Sequence, residues 1–175
     1  MTGRYWDDLE TATLVQRGGV SDNSRRLLTG NAKQSEGPAQ RKRIGILAKD
    51  YDHFLGIAAL LNSRDREVLF SSRLLEPLDC VLNHPHRWEA VVLKFDDFGT
   101  VSSLFEFITR FRLRRPSITL VLASSEFGSD DIGSERLPLC DACVRLPAGI
   151  EAFHAVLLAA KGNNELWVER CIFNY

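Results

Sequence analysis

The sequence is short of most features that announce a function. No apolar run approaches the roughly 20 residues that a bilayer-crossing helix requires, so no membrane partner is expected. The stretch Met1-Thr2-Gly3-Arg4-Tyr5-Trp6-Asp7-Asp8 lacks the apolar core of a secretory signal, which points to a reduced, cytoplasmic chain. Charge of neither sign dominates: 22 lysines and arginines face 23 aspartates and glutamates, for a net charge of −1. Nothing in that balance draws the chain as a whole to nucleic acid. Cysteine is scarce, and Cys80, Cys140, Cys143 and Cys171 supply a single CxxC with no second pair to complete a zinc site. Buried thiols are the expectation, with no metal and no cofactor. Glycine-rich phosphate loops are missing as well, since Asp50-Tyr51-Asp52-His53 after the first apolar run holds no glycine. That argues against a nucleotide-binding enzyme.

What is present is 45% hydrophobic residues, enough for one domain with its own core. Residues 1–40 are rich in Gly, Ser, Asn, Gln, Thr and Arg, and such a composition cannot bury enough surface to fold alone. They read as a flexible N-terminal extension with a short helix around Asp7 to Gln16; the alternative is docking of Trp6, Leu9 and Leu14 onto the domain. From residue 41 a regular alternation begins. Ile44 to Ala48 is a first strand, and Phe54, Ile57, Ala58, Leu60 and Leu61 recur at helical spacing behind it. Glu67 to Ser71 is a second strand, followed by a helix through Leu74, Leu75, Leu78, Val81 and Leu82. The unbroken run from Ala90 to Phe95 is a third. Leu104, Phe105, Phe107, Ile108 and Phe111 mark a helix that stops before Pro116, with Thr100 as its N-cap. Ile118 to Ala123 is the fourth strand. Between Glu126 and Leu139 glycine, proline and acidic residues predict a fourth helix that is weak or missing. Ala142 to Leu146 is the fifth strand, and Ile150 to Leu158 start a strong fifth helix that runs to Gly162.

Five strands alternating with helices imply right-handed crossovers and a parallel sheet covered on both faces. The fold class is therefore α/β, a flavodoxin-like (βα)5 three-layer sandwich with strand order 2-1-3-4-5. In that order the ends of the first and third strands share one pocket.

Residues 41–162 resemble the receiver domain of two-component response regulators, in spacing more than in identity. In that family an acidic pair ends the first strand, a phosphate-accepting aspartate the third, a Ser or Thr the fourth and a Lys-Pro the fifth. The carboxylates hold Mg²⁺, and the lysine and hydroxyl contact phosphoryl oxygens. Carried onto this chain, the acidic pair falls on Lys49 and Asp50, and the acceptor on Lys94, after Glu89-Ala90-Val91-Val92-Leu93. The hydroxyl falls on Ser124, with Ser125 as the neighbouring choice, and Lys-Pro falls on Leu146-Pro147. A lysine nitrogen cannot form an acyl phosphate, so the resemblance implies a degenerate pseudo-receiver pocket of Lys49, Asp50, Lys94, Asp96, Asp97, Ser124, Leu146 and Pro147. It implies a non-enzymatic regulatory module, no catalytic residue, a pairing of Lys94 with Asp50 and with Asp96 or Asp97, and a cis Leu146-Pro147 bond. The rival is a strand two residues longer, which points Asp96 the way of Lys94 as acceptor; another is a small flavodoxin-like ligand-binding protein.

Gly162 to Arg170 is similar to the linker that leaves the receiver in LuxR-type regulators, so residues 163–175 read as a tail, and direct DNA binding is not expected of a chain ending at Tyr175. Receivers of this type commonly dimerise through their last helix. A homodimer, or a complex with another regulatory protein, is accordingly expected through Phe153, Val156, Leu157 and Trp167. Arg110, Arg112, Arg114 and Arg115 read as cations favoured by a helix C-terminus, and His84-Pro85-His86 as a surface loop.

Overall fold

A computed structural model describes residues 4–5, 41–62 and 66–173. Six strands form one parallel sheet: β1 Arg4–Tyr5, β2 Lys42–Leu47, β3 Arg66–Ser71, β4 Trp88–Lys94, β5 Thr119–Ser124 and β6 Ala142–Arg145. Their spatial order is β1-β3-β2-β4-β5-β6. Within it the five strands read from the sequence stand in the expected order, second, first, third, fourth, fifth. The two-residue β1, which pairs with Leu69 and Phe70, is an addition that the five-strand pattern did not include. The expected helix over 7–16 and the residues Trp6, Leu9 and Leu14 lie outside the described residues.

Strand alternation distributes the side chains over two cores. Ile44, Ile46, Ala90, Val92, Val121 and Val144 face α1 (Leu55–Asn62) and α4 (Ile150–Phe173). Leu47, Val91, Leu93, Leu120 and Leu122 face α2 (Leu75–Asn83) and α3 (Val101–Arg114). Thr100 caps α3 by accepting a hydrogen bond from the Ser103 amide at 3.4 Å. Among the described residues no helix is long and apolar enough to cross a membrane.

No α-helix forms between β5 and β6, where the composition predicted a weak or missing one. A loop with a short 3₁₀ turn at Ser134–Arg136 takes its place, and a buried polar cluster holds it. Arg112, fully buried on α3, donates two bonds of 2.7 Å to the Asp141 carboxylate and one of 2.8 Å to the Leu137 carbonyl. Asp141 also accepts from the Leu120 amide at 2.7 Å. Burial pushes its carboxyl above the ordinary range, with the Arg112 guanidinium and the Leu120 amide opposing. Arg112 stands in the last turn of α3, as expected of a helix-end cation, but it is fully buried there and holds the loop. The guanidinium also stacks on Trp167, 5.0 Å from the ring centre.

The last helix corrects a second expectation. It does not stop at Gly162 but runs for 24 residues, Ile150–Phe173, so residues 163–173 are helix. Glycine and two asparagines usually end a helix. Here Asn163 donates to the Asp141 carbonyl at 2.7 Å and the Ile132 carbonyl at 2.9 Å, and Asn164 to the Pro116 carbonyl at 2.8 Å. These tertiary bonds outweigh a helix penalty of about 1 kcal/mol for the glycine.

Breaking one side of the buried pair should be far worse than removing both. Arg112→Met is expected to cost roughly 3–5 kcal/mol by leaving Asp141 buried without a counter-charge, and Arg112→Met with Asp141→Leu markedly less. Urea denaturation of the two variants measures the difference.

Candidate functional site

In a parallel sheet the strands' carboxyl ends meet on one edge, and the order here brings the ends of β2, β4 and β5 together. Leu47 pairs with Leu93, and Lys94 with Ala123. The residues that follow each strand therefore share a small polar site.

Strand β4 ends at Lys94 and turns at once into a 3₁₀ turn, Phe95–Asp97. The two-residue strand extension that was to aim Asp96 is corrected by that turn. The turn nonetheless folds both aspartates back over the sheet edge. Lys94 is buried, with 8% of its surface exposed, and its ammonium lies 3.1 Å from the Asp97 carboxylate. The other oxygen of Asp97 accepts from the Lys49 amide at 2.6 Å. Asp97 thus ties the end of β4 to the end of β2 while neutralising a buried cation.

Asp96 is held by β5. Its carboxylate accepts the Ser124 hydroxyl, the Ser125 amide at 2.8 Å and the Ser125 hydroxyl at 2.9 Å. Partial burial pushes this carboxyl up, but the bonds from Ser124 and Ser125 and the Lys94 charge outweigh it and hold it below the usual carboxylate range.

The remaining predicted residues are less concentrated. Asp50 is exposed and accepts from the Asp52 amide at 3.0 Å, which opens the 3₁₀ turn at Asp52–Phe54. Among the described residues the carboxylate partner of Lys94 is Asp97, so the expected Lys94–Asp50 pairing is corrected: Asp50 is engaged in its own turn. The Lys49 side chain is exposed. Leu146 is buried in the core and its amide donates to the Ser124 carbonyl at 2.8 Å. The Leu146-Pro147 peptide is cis, as expected. Among the described residues no group of three or more His, Cys, Asp or Glu is placed to hold a metal ion.

The expected contact residues need a larger correction. Phe153, 0% exposed, and Val156 belong to the core beneath α4, and Trp167 lies buried on Arg112; only Leu157 of the four is half-buried. The large apolar groups that α4 does expose are Ile150, Leu158, Leu166, Ile172 and Phe173. The loop that replaces a fourth helix covers the sheet with Leu137, Cys140 and Phe127 instead of leaving it bare.

No known protein family's profile matches the chain, and no curated protein sequence matches it either. Solved structures do. A putative pilus assembly-related protein from Burkholderia pseudomallei shares 14% identity, with a TM-score of 0.52 over 71% of this chain and 92% of that one. An orphan response regulator of H. pylori shares 18%, at 0.52 over 71% and 99%. A response regulator of Burkholderia pseudomallei, solved with a phosphorylated aspartic acid, calcium and citrate, shares 17%, at 0.51 over 77% and 75%. At such identities the likeness establishes the flavodoxin-like receiver fold.

Two outcomes follow from the site. Asp97→Asn removes the carboxylate paired with the buried Lys94 and should cost roughly 2 kcal/mol, with Lys94→Met in the same chain recovering part of it; thermal melts compare the three. Asp96, depressed when folded, adds stability that is complete above its unfolded value of 3.8 and lost as pH falls through the lower folded value. Asp96→Asn should flatten that part of the acid-stability profile.

Proposed function

We propose that the chain is a non-enzymatic signalling or regulatory module, a pseudo-receiver that works without phosphorylation and acts through protein contact. The observation that carries this reading is Lys94, a buried ammonium at the β4 end paired with Asp97, where the resembled family carries the aspartate that takes the phosphoryl group. The amine cannot form that acyl phosphate, and its charge opposes a divalent cation at the same spot. Asp96 adds to the argument. Its carboxylate takes the Ser124 hydroxyl and the Ser125 amide, bonds of the kind that phosphoryl oxygens accept in a working receiver. The site is thereby filled with fixed charges that hold the β4 and β5 ends together in one arrangement. A cytoplasmic, reduced setting suits this reading, which involves no cofactor.

The second reading, a receiver phosphorylated on Asp96, draws on the exposure of Asp96 beside Ser124. Incubation with Mg²⁺ and acetyl phosphate separates the two. The intact mass is expected to stay unchanged; a phosphoryl adduct that disappears in Asp96→Asn would establish the second reading in place of the first.

For the contact we propose a second copy of the chain. Leu158, Leu166 and Phe173 are exposed, and their spacings of eight and seven set them along one side of α4. Lys161 and Glu165 lie one turn apart on that side, so an antiparallel pairing centred between them sets each against the opposite charge of the other copy. Sedimentation at micromolar concentration should show a dimer that Leu166→Glu converts to monomer, whereas Phe153→Glu should unfold the chain. A monomer throughout the concentration series would rule the contact out.

A further inference from the structure

The loop that stands in for the fourth helix carries two thiols that the proposed function does not use. Cys140 and Cys143 are both buried and both free, and their sulfurs lie 3.5 Å apart. A disulfide needs that separation to shrink by about 1.5 Å, to about 2.05 Å. Cys143 lies in β6, paired with Leu122 of β5, while Cys140 sits in the turn before the strand, its amide bonded to the Arg136 carbonyl at 2.9 Å. Arg136 also reaches the Cys143 sulfur, with Nη1 at 4.0 Å, and its side chain is 56% exposed. The Cys143 sulfur thus lies beside a side chain that reaches the surface.

The two thiols are not equivalent. The hydrogen bond from Cys140 holds the Cys143 thiol below its ordinary range, aided by the Arg136 guanidinium and opposed by burial. That bond and burial push Cys140 up. Cys143 is the better thiolate and Cys140 the proton donor beside it.

We propose that Cys140 and Cys143 form a peroxide-sensitive dithiol, an oxidative modification site that closes to a disulfide. The Cys143 thiolate attacks one oxygen of hydrogen peroxide; the O–O bond breaks, a sulfenic acid forms, and the departing hydroxide takes a proton to leave as water. The Cys140 sulfur then attacks the sulfenic sulfur, the S–S bond forms, and the S–OH oxygen leaves as a second water with the Cys140 proton. Two thiols are oxidised by two electrons and one peroxide is reduced to two waters. Asp141 lies inside the ring that this bond closes, so the modification is felt at the carboxylate that anchors Arg112, the Leu120 amide and Asn164.

The test uses the full chain, reduced, then exposed to graded hydrogen peroxide and quenched with N-ethylmaleimide in denaturant. Trypsin cleaves after Arg136 and Arg145 and leaves both cysteines in one peptide, Leu137 to Arg145. That peptide should lose both maleimides and two hydrogen atoms at lower peroxide than Cys80 or Cys171 loses its label, and dithiothreitol should restore it. Arg136→Ala, read on the longer tryptic peptide from Arg115 to Arg145, should need several-fold more peroxide, and Cys140→Ser should stop at a dimedone-trapped sulfenic acid on Cys143. A wild-type peptide that keeps both maleimides while Cys80 and Cys171 are oxidised overturns the proposal, and so does direct passage of Cys143 to the sulfinic acid.

Discussion

The buried pair of Arg112 and Asp141 is the constraint on which the arrangement of the second half depends. A guanidinium and a carboxylate out of reach of water are tolerable only if each is paired and otherwise hydrogen-bonded. Asp141 meets that requirement by drawing in four parts of the chain: α3 through Arg112, β5 through the Leu120 amide, the 125–141 loop through its own position, and α4 through Asn164. Arg112 adds the Leu137 carbonyl and the Trp167 ring. A helix packed on this flank could do the same by apolar burial, but the loop has few apolar residues to offer. Polar bonds substitute for them.

The same rule operates at the opposite end of the sheet on a smaller scale. Lys94 is buried and has Asp97; Asp96 carries a charge beside it and has two serines. Lys94 is met there by a carboxylate and Asp96 by hydrogen bonds. The site joins the β4 end to both of its neighbours, β2 through the Lys49 amide and β5 through Ser124. The electrostatic layout supports the proposal of a fixed, phosphate-independent state more directly than the loss of any single motif residue does.

The proposed dithiol connects with the first of these constraints. Cys140 and Cys143 bracket Asp141 in sequence, so the residue that organises the α3, β5 and α4 contacts lies within the short segment between the two cysteines. Chemistry at those thiols and the packing of the long last helix are thus neighbours in the chain. The Lys94 site, by contrast, is built from the ends of β2, β4 and β5, and the two can be probed by separate substitutions.

The layered architecture was legible from the sequence because hydrophobic periodicity is a local property. Ile44 to Ala48, Ala90 to Phe95 and Ile118 to Ala123 can be buried only on both faces of a sheet, and the helical spacing between them forces parallel crossovers. The gap between Glu126 and Leu139 was legible for the same reason, as was the capping role of Thr100. What tertiary structure alone decided were pairings between residues far apart. Helical spacing sets Arg112 four residues after Ile108, on the face that Arg110 and Arg114 miss, but only the position of Asp141, 29 residues on, makes that interior place tolerable for a cation. Gly162 and its asparagines carry every local sign of a helix end, and carbonyls at Pro116, Ile132 and Asp141 overrule them. Asp96 and Asp97 return to the sheet edge through a 3₁₀ turn whose sequence reads equally as a solvated loop, because Lys94 and Ser124 supply the charge and hydroxyl that make that turn favourable. Phe153 and Val156 went inward for a simpler reason: α4 lies across β5 and β6, and the apolar face that seemed free for a partner had the chain's own sheet to cover.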